Sequence, residues 1–340
     1  MEKYPLYKEN HSLEKIVKNF EELKTYDFNY KKVNPKFKDT IYFLIIDFDK
    51  EEKFIRITDY FTEECRIACN FANEISPLEY FNLNKEIINA TLGKTPSYEE
   101  IDYYLYKNTR PCTLFQLPVA VSVLRYFKPK RWLDPSAGWG DRLIAAINYG
   151  ECDYRATDPN ECLHPKYKEI IDTFTGCDKS QSEYNKSSDL PDLNRDKSRS
   201  KYNKSSDLDR DLSRSKYKIT QEGFEVAEIE ANYYDLVFTS PPFFDLEKYS
   251  DASTQSHIKY KTLDEWMDGF MYPFLIKSVA ALSKGGHLCL YVEDNKKSNI
   301  YYVKKIRNYL NLNKRMKEIG NIVWKGGSRP KKIMVYQKIK

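Results

Sequence analysis

The sequence predicts an α/β fold: a doubly wound, mostly parallel sheet ending in an antiparallel C-terminal hairpin, preceded by a small α+β accessory domain. Three observations predict it. From residue 131 onward, short apolar runs alternate with helical patterns, the order of right-handed βαβ units that cover both faces of a parallel sheet. The last two runs are joined only by Lys325-Gly-Gly-Ser-Arg-Pro330, too short for a helix, so they pair as an antiparallel hairpin at the sheet edge. Residues 1–110 lack this alternation and read as a separate unit, leaving 111–340 as the main domain.

In the accessory segment, Thr40–Asp47 and Phe54–Asp59 flank Asp-Lys-Glu-Glu and predict a hairpin. Helical patterns follow near 62–75 and 78–91, and a third opens at Ser97 with the capping box Ser97-Tyr-Glu-Glu100. The Tyr and Phe residues of this segment suit a small core, with base stacking as the alternative use. In the main domain, strands are expected at Arg131–Asp134, Tyr154–Asp158, Tyr217–Thr220, Tyr234–Thr239, Gly286–Glu293, Asn321–Trp324 and Ile333–Gln337. Helices are expected near 141–149, 164–175, 263–282 and 297–311.

Composition sets the outer limits. With 340 residues the chain is about two domains long, at ~150 residues each. Apolar residues make up 41% and aromatic residues 15%, which argues against a disordered or fibrous chain. A net charge of +5 is too mild to identify a nucleic-acid partner by electrostatics alone. The seven cysteines form no Cys-x-x-Cys pair, and the four histidines complete no zinc-ligand spacing, so no metal is expected. Reduced thiols in a soluble, intracellular protein are the plain reading. The N-terminus lacks the apolar core of a signal peptide, and the longest apolar run, Ile41–Ile46, is far too short for a bilayer.

One segment stands apart. Residues 184–201 (YNKSSDLPDLNRDKSRSK) are nearly duplicated by 202–216 (YNKSSDLDRDLSRSK). Dominated by Ser, Asp, Lys, Arg and Asn, these copies cannot bury enough apolar surface to offset chain entropy. Residues 177–216 are therefore expected to be a disordered surface insertion.

Three short motifs carry chemistry. In Asp134-Pro-Ser136-Ala-Gly138-Trp-Gly140-Asp141, an acid closes a strand and two glycines let the backbone approach a ligand. The third glycine of a dinucleotide fingerprint is absent, because position 143 is Leu. A strand-end acid suits an ammonium group, held directly or through water. Next, Asp158 closes the following strand, where an acid accepts both hydroxyls of a ribose. The third motif, Ser240-Pro241-Pro242-Phe243-Phe244, ends a buried strand as a stiff loop. With two backbone donors removed, it offers acceptors beside a ring, which suits an amino group on a flat heterocycle.

Together, DPSAGWGD and TSPPFF resemble the class I S-adenosylmethionine-dependent methyltransferases, specifically those that methylate exocyclic amines of nucleic-acid bases (N4-cytosine/N6-adenine DNA methylase-like). The stretch Thr113-Leu-Phe115-Gln-Leu-Pro118 resembles that family's N-terminal cofactor-binding segment. The resemblance implies a Rossmann-like methyltransferase sheet and S-adenosyl-L-methionine as cofactor. It also implies a nucleic-acid partner, DNA ahead of RNA, with no membrane. Phe115, Asp134, Ser136, Gly138, Gly140 and Asp158 would line the cofactor. Ser240 and Pro241 would accept the target amine's hydrogen bonds, with Pro242 stiffening the loop and Phe243 stacking on the base. Phe244, Glu247, Tyr249 and Gln255 would contact the substrate, and Glu225 is the nearest acid for the adenine amine. Arg142, Lys248, Lys325, Arg329, Lys331 and Lys332 are placed to meet phosphates. The alternatives are the same chemistry on RNA (adenine N6 or guanine N2), on protein glutamine, or a catalytically silent nucleic-acid-binding partner subunit.

Overall fold

The computed structural model describes residues 3–28, 40–45, 48–72, 74–93, 95–176, 216–296, 298–326 and 329–340. The repeat insertion expected over 177–216 lies outside them, except for Lys216. The first third of the chain holds α1 (Tyr7–Asn10), α2 (Leu13–Thr25), β1 (Thr40–Ile45), α3 (Phe48–Ile67), β2 (Asn70–Phe71), α4 (Pro77–Leu83), α5 (Lys85–Leu92) and α6 (Tyr98–Asn108). The remainder opens with α7 (Leu117–Phe127), β3 (Arg131–Asp134), α8 (Asp141–Tyr149), β4 (Asp153–Thr157), α9 (His164–Phe174), β5 (Tyr217–Thr220) and β6 (Tyr234–Thr239). It closes with β7 (Glu247–Lys248), α10 (Tyr272–Ala281), β8 (Leu282–Tyr291), α11 (Val303–Leu312), β9 (Met316–Gly326) and β10 (Arg329–Lys338).

Eight strands form one sheet in the order β1-β9-β10-β8-β6-β3-β4-β5. From β8 to β5 all neighbours are parallel, whereas β10 runs antiparallel to both β8 and β9. Period-2 alternation sorts side chains between the two faces. Trp132, Leu236, Phe238, Cys289, Ile333 and Val335 enter one core with α2, α3 and α7–α9. Leu133, Val237, Leu288, Leu290, Met334 and Tyr336 enter the other with α10 and α11. The expected hairpin forms, but it is not the edge: β1 pairs in parallel with β9 and lies outside it.

The accessory segment therefore contributes a strand to the main sheet and two helices to its core, and α4–α6 add a small cluster around Ile67, Phe81, Ile88, Ile101 and Leu105. The hairpin expected there does not form. Phe54, Ile57, Thr58, Phe61, Thr62 and Cys65 are all buried and fall on one face at helical spacing, so Phe48–Ile67 is a single helix. Helical periodicity overrides the β-branched residues that suggested a strand. Asn70–Phe71, expected within a helix, instead pairs with Glu247–Lys248. The capping box at Ser97 forms as expected and starts α6.

Candidate active site

Sheet order reverses between β3 and β6: the chain steps outward through β4 and β5 on one side, then through β8 on the other. Ligands of open α/β sheets bind outside the strand carboxyl ends at such a switch point. The loops after β3 and β6 are the two motif loops, and both line a cavity of about 1240 Å³. The last residue before the repeat insertion, Gly176, follows α9, and Lys216 precedes β5. Gly176 and Lys216 thus both lie at the opposite, amino edge of the sheet.

The loop after β3 departs from expectation at Asp134. This residue is fully buried: one oxygen accepts from Arg142 Nε at 2.8 Å and from the Tyr154 hydroxyl at 2.9 Å, while the other accepts from Ser136 N at 3.3 Å. Its carboxylate is occupied within the protein, so it shapes the loop and does not face a ligand. Arg142 lines the cavity but is likewise buried, its Nε engaged by Asp134 and one terminal nitrogen by the Ser136 carbonyl. Ser136 and Gly138 line the cavity. Gly138 has φ +62°, a conformation L side chains rarely adopt. Gly140 does not line the cavity. At φ +95° it packs against α9, where an added Cβ would come within 2.9 Å of Ile170 Cδ1.

Asp141, which begins α8, lines the cavity, yet one of its carboxylate oxygens is buried without a hydrogen-bond partner. Burial pushes its carboxyl up to about 7, against the pull of Arg142. Glu63 is also pushed up to about 7 by burial and by Asp59. An acid whose folded value is raised keeps a proton that the unfolded chain releases above pH ~4. That stability is full at low pH and is lost as pH rises from about 4 through about 7. The expected result is that Asp141→Asn gains melting temperature relative to wild type as the pH is raised from 5 to 8. A pH-independent difference between the two would contradict this.

Asp158 sits where the sequence predicts. One oxygen accepts from Gly138 N at 2.8 Å and the other from Asn160 N at 2.9 Å, so the acid joins the two glycine-side loops. Burial raises its pKa while these two backbone donors lower it. The Tyr167 hydroxyl donates to the Gly138 carbonyl, and Asn160 caps the turn that follows. Glu225, beyond β5, lines the same cavity with one oxygen 2.7 Å from Lys259 Nζ.

Directly behind this wall, Cys65 of α3 and Cys162 are joined by a disulfide, contrary to the expectation of reduced thiols. The two are 97 residues apart, and only the packing of α3 beside the turn after β4 brings them together. Cys69, Cys112, Cys152 and Cys289 are free and buried. Digestion of the alkylated, unreduced protein is expected to release a Cys65–Cys162 cross-linked peptide. Recovery of both residues as alkylated thiols would contradict the pairing.

The loop after β6 brings Ser240, Pro242 and Phe243 into the cavity, whereas Pro241, expected to accept from the target amine, is buried and does not line it. Phe243 packs edge-on against Tyr291 at 5.6 Å. Phe115, from the segment before α7, also lines the cavity and meets Phe238 and the same Tyr291 edge-on. Phe244 is a correction: its φ of +52° turns it away from Phe243 and into the core against Trp266, so it contacts no substrate. Glu247 is also reassigned. Although it lines the cavity, it is 5% exposed and accepts from Thr113 N at 2.9 Å and from the Tyr249 hydroxyl at 2.6 Å. It thereby ties the Phe115 segment to the loop after β6. Tyr249 rests edge-on against Trp139, and Gln255, nearly buried, reaches the cavity beside Thr254 and Ser256.

Sequence reading misses Tyr154, Trp139, Asn160 and Tyr291. Of these, only Asn160 carries a signal, since it follows Asp158-Pro159 directly. Of the expected phosphate contacts, Lys331 pairs with Glu293 at 2.8 Å and Lys332 is exposed, and both line the cavity. The side chains of Lys325 and Arg329 lie outside the described residues, and Lys248 does not line the cavity. Among the described residues, no group of three His, Cys, Asp or Glu side chains is placed to hold a metal ion. No helix among them is long and apolar enough to cross a membrane.

No protein-family model matches the chain, and no curated protein matches it. Solved structures do overlap it in part. TrmN from Thermus thermophilus matches with 16% identity over 66% of this chain and a TM-score of 0.36. The overlap takes in 49% of TrmN, so this chain spans about half the length of that protein. An rRNA methylase from Streptococcus thermophilus matches with 11% identity over 67% of this chain and 99% of its own, with a TM-score of 0.37. Magnesium protoporphyrin IX methyltransferase from Synechocystis, solved with bound S-adenosylmethionine, matches with 9% identity over 76% of this chain and 94% of its own, with a TM-score of 0.39.

Proposed function

We propose that the chain is an S-adenosylmethionine-dependent methyltransferase acting on an exocyclic amine of a nucleic-acid base, DNA N4-cytosine or N6-adenine ahead of RNA. The observation that carries the proposal is a single cavity. The Gly138–Asp158 wall and the Ser240–Phe243 loop face one space of about 1240 Å³. That exceeds the roughly 300–1,000 Å³ of a site built for one ligand, and it leaves room for a nucleoside cofactor beside a base.

The residues fit that cofactor. Asp158 presents carboxylate oxygens with spare lone pairs to ribose hydroxyls, and Glu225 lines the same cavity. Bound there, the cofactor would supply an electrophilic methyl group. The chain's own task is to position and activate the amine. An exocyclic amine is a poor nucleophile because its lone pair is delocalised into the ring. The Ser240 hydroxyl, which lines the cavity, accepts one of its N–H bonds, which draws the nitrogen toward a tetrahedral shape and localises the pair. Phe243 stacks on the ring and sets the line of attack, so positioning and fixed dipoles supply most of the rate. A base in a duplex must first leave the stack, at a cost of a few kcal/mol.

The test is to incubate the protein with methyl-labelled S-adenosylmethionine and separate DNA and RNA pools. Label in acid-precipitable nucleic acid is the expected result. Label in neither pool, with cofactor binding intact, would overturn the proposal in favour of a protein glutamine substrate or a silent partner subunit.

A further inference from the structure

The face of α6 that looks away from its small core is chemically unusual. Tyr98, Ile101 and Leu105 are buried, whereas Tyr103, Tyr106, Lys107 and Arg110, spaced i, i+3, i+4 and i+7, are all exposed. These four residues form one stripe along the helix and its C-terminal extension. Tyr103 is 60% and Tyr106 70% exposed, and Lys107 Nζ lies 4.3 Å from the Tyr103 ring centroid. Arg110 lies over Phe71, 3.8 Å from the ring centroid, and among the described residues it forms no ion pair.

This stripe runs into the candidate active site: Phe71, Tyr106 and Arg110 line the same cavity as Ser240 and Phe243. Its position relative to the loop after β6 is fixed by backbone. Phe71 pairs with Glu247 in the β2–β7 ladder, and Ala72 N donates to the Leu246 carbonyl at 2.6 Å. Phe71 is thus held beside a strand that begins just after Phe243. Exposed rings followed by cations along one track suit an unpaired strand. Every base has a face to stack on a Tyr or on a guanidinium plane, and the cations meet the phosphates between. Tyr106, 70% exposed and lining the cavity, is the ring on this face that the helix itself does not employ.

We propose that the exposed stripe Tyr103–Tyr106–Lys107–Arg110 is the track along which a single strand of nucleic acid enters the cavity. The nucleotide next to the target stacks on Tyr106 and on the outer face of Arg110. This rests on the reading of the cavity as a base-methylating site, and it gives the accessory segment a substrate-holding task.

The experiment measures fluorescence anisotropy of labelled mixed-sequence single strands, one DNA and one RNA. The proteins are wild type, Tyr106→Ala, Arg110→Ala, Arg110→Lys and, as a control on α7 away from the cavity, Tyr126→Ala. Loss of a base stack is expected to weaken binding about tenfold in Tyr106→Ala and Arg110→Ala. Arg110→Lys is expected to keep the salt dependence of wild type while losing the stack. Cofactor affinity and melting temperature should stay unchanged in all four variants, and the control should bind as wild type does. The arm that binds more tightly identifies DNA or RNA as the strand. Wild-type affinity in both alanine variants, in a protein that does methylate nucleic acid, overturns the track alone. Failure of the wild type to bind either strand or to transfer methyl to either overturns the base-methylation reading together with it.

Discussion

Ser240→Ala is expected to lower the rate constant for methyl transfer by about 10²–10³-fold, the usual cost of losing one preorganised polar contact to a transition state. Cofactor affinity should stay near wild type, because Ser240 belongs to the loop after β6 whereas the proposed cofactor wall is the one formed by the loops after β3 and β4. Among the described residues no partner holds the Ser240 hydroxyl, so its removal strands no buried group. Pro241 and Pro242 keep the loop's course without it. A loss in the rate constant at saturating substrate, with little change in apparent substrate affinity, is the signature of an interaction made mainly in the transition state. Activity within a factor of about three of wild type would remove the hydroxyl from the mechanism.

Asp134→Ala is expected to be the most destabilising change in either motif loop. It leaves the buried Arg142 guanidinium and the Tyr154 hydroxyl without their shared acceptor, and breaking a buried pair from one side costs about 3–5 kcal/mol. Asp158→Ala should behave in the opposite way. Its two partners are backbone amides at the cavity wall, so stability should change less while cofactor affinity falls at least tenfold, about 1.4 kcal/mol. Denaturant unfolding and cofactor titration of both variants separate the roles. If Asp134→Ala unfolds like wild type but loses the cofactor, Asp134 is a ligand contact after all.

The contrast between these acids shows what is legible in the sequence. Asp134 closes β3 and Asp158 directly follows β4, and the strand bounds Arg131–Asp134, Tyr217–Thr220 and Tyr234–Thr239 are readable to the residue from their apolar runs and flanking turns. Which acid lines the cavity is not readable, because it depends on Tyr154 of a neighbouring strand and on a helix turn that brings Arg142 back. Glu247 reads as a base-edge contact because its tie to Thr113 spans 134 residues. Phe244 reads as a neighbour of Phe243 because a single positive φ reverses its side chain and leaves no trace in residue type. The helix Phe48–Ile67 is different, since its 3.6-residue spacing is visible in the sequence. Its local β-branched residues mimic a strand only over a window shorter than two helical turns.

The most direct test of the central claim identifies the atom that receives the methyl group. After reaction with deuteromethyl-labelled S-adenosylmethionine, the nucleic acid is digested to nucleosides and analysed by mass spectrometry. The predicted product carries the label on an exocyclic nitrogen, N4 of cytosine or N6 of adenine, and is lost with Ser240→Ala. Label on a ring carbon, a ring nitrogen or a ribose oxygen would contradict the amine-activating role of the Ser240–Phe243 loop.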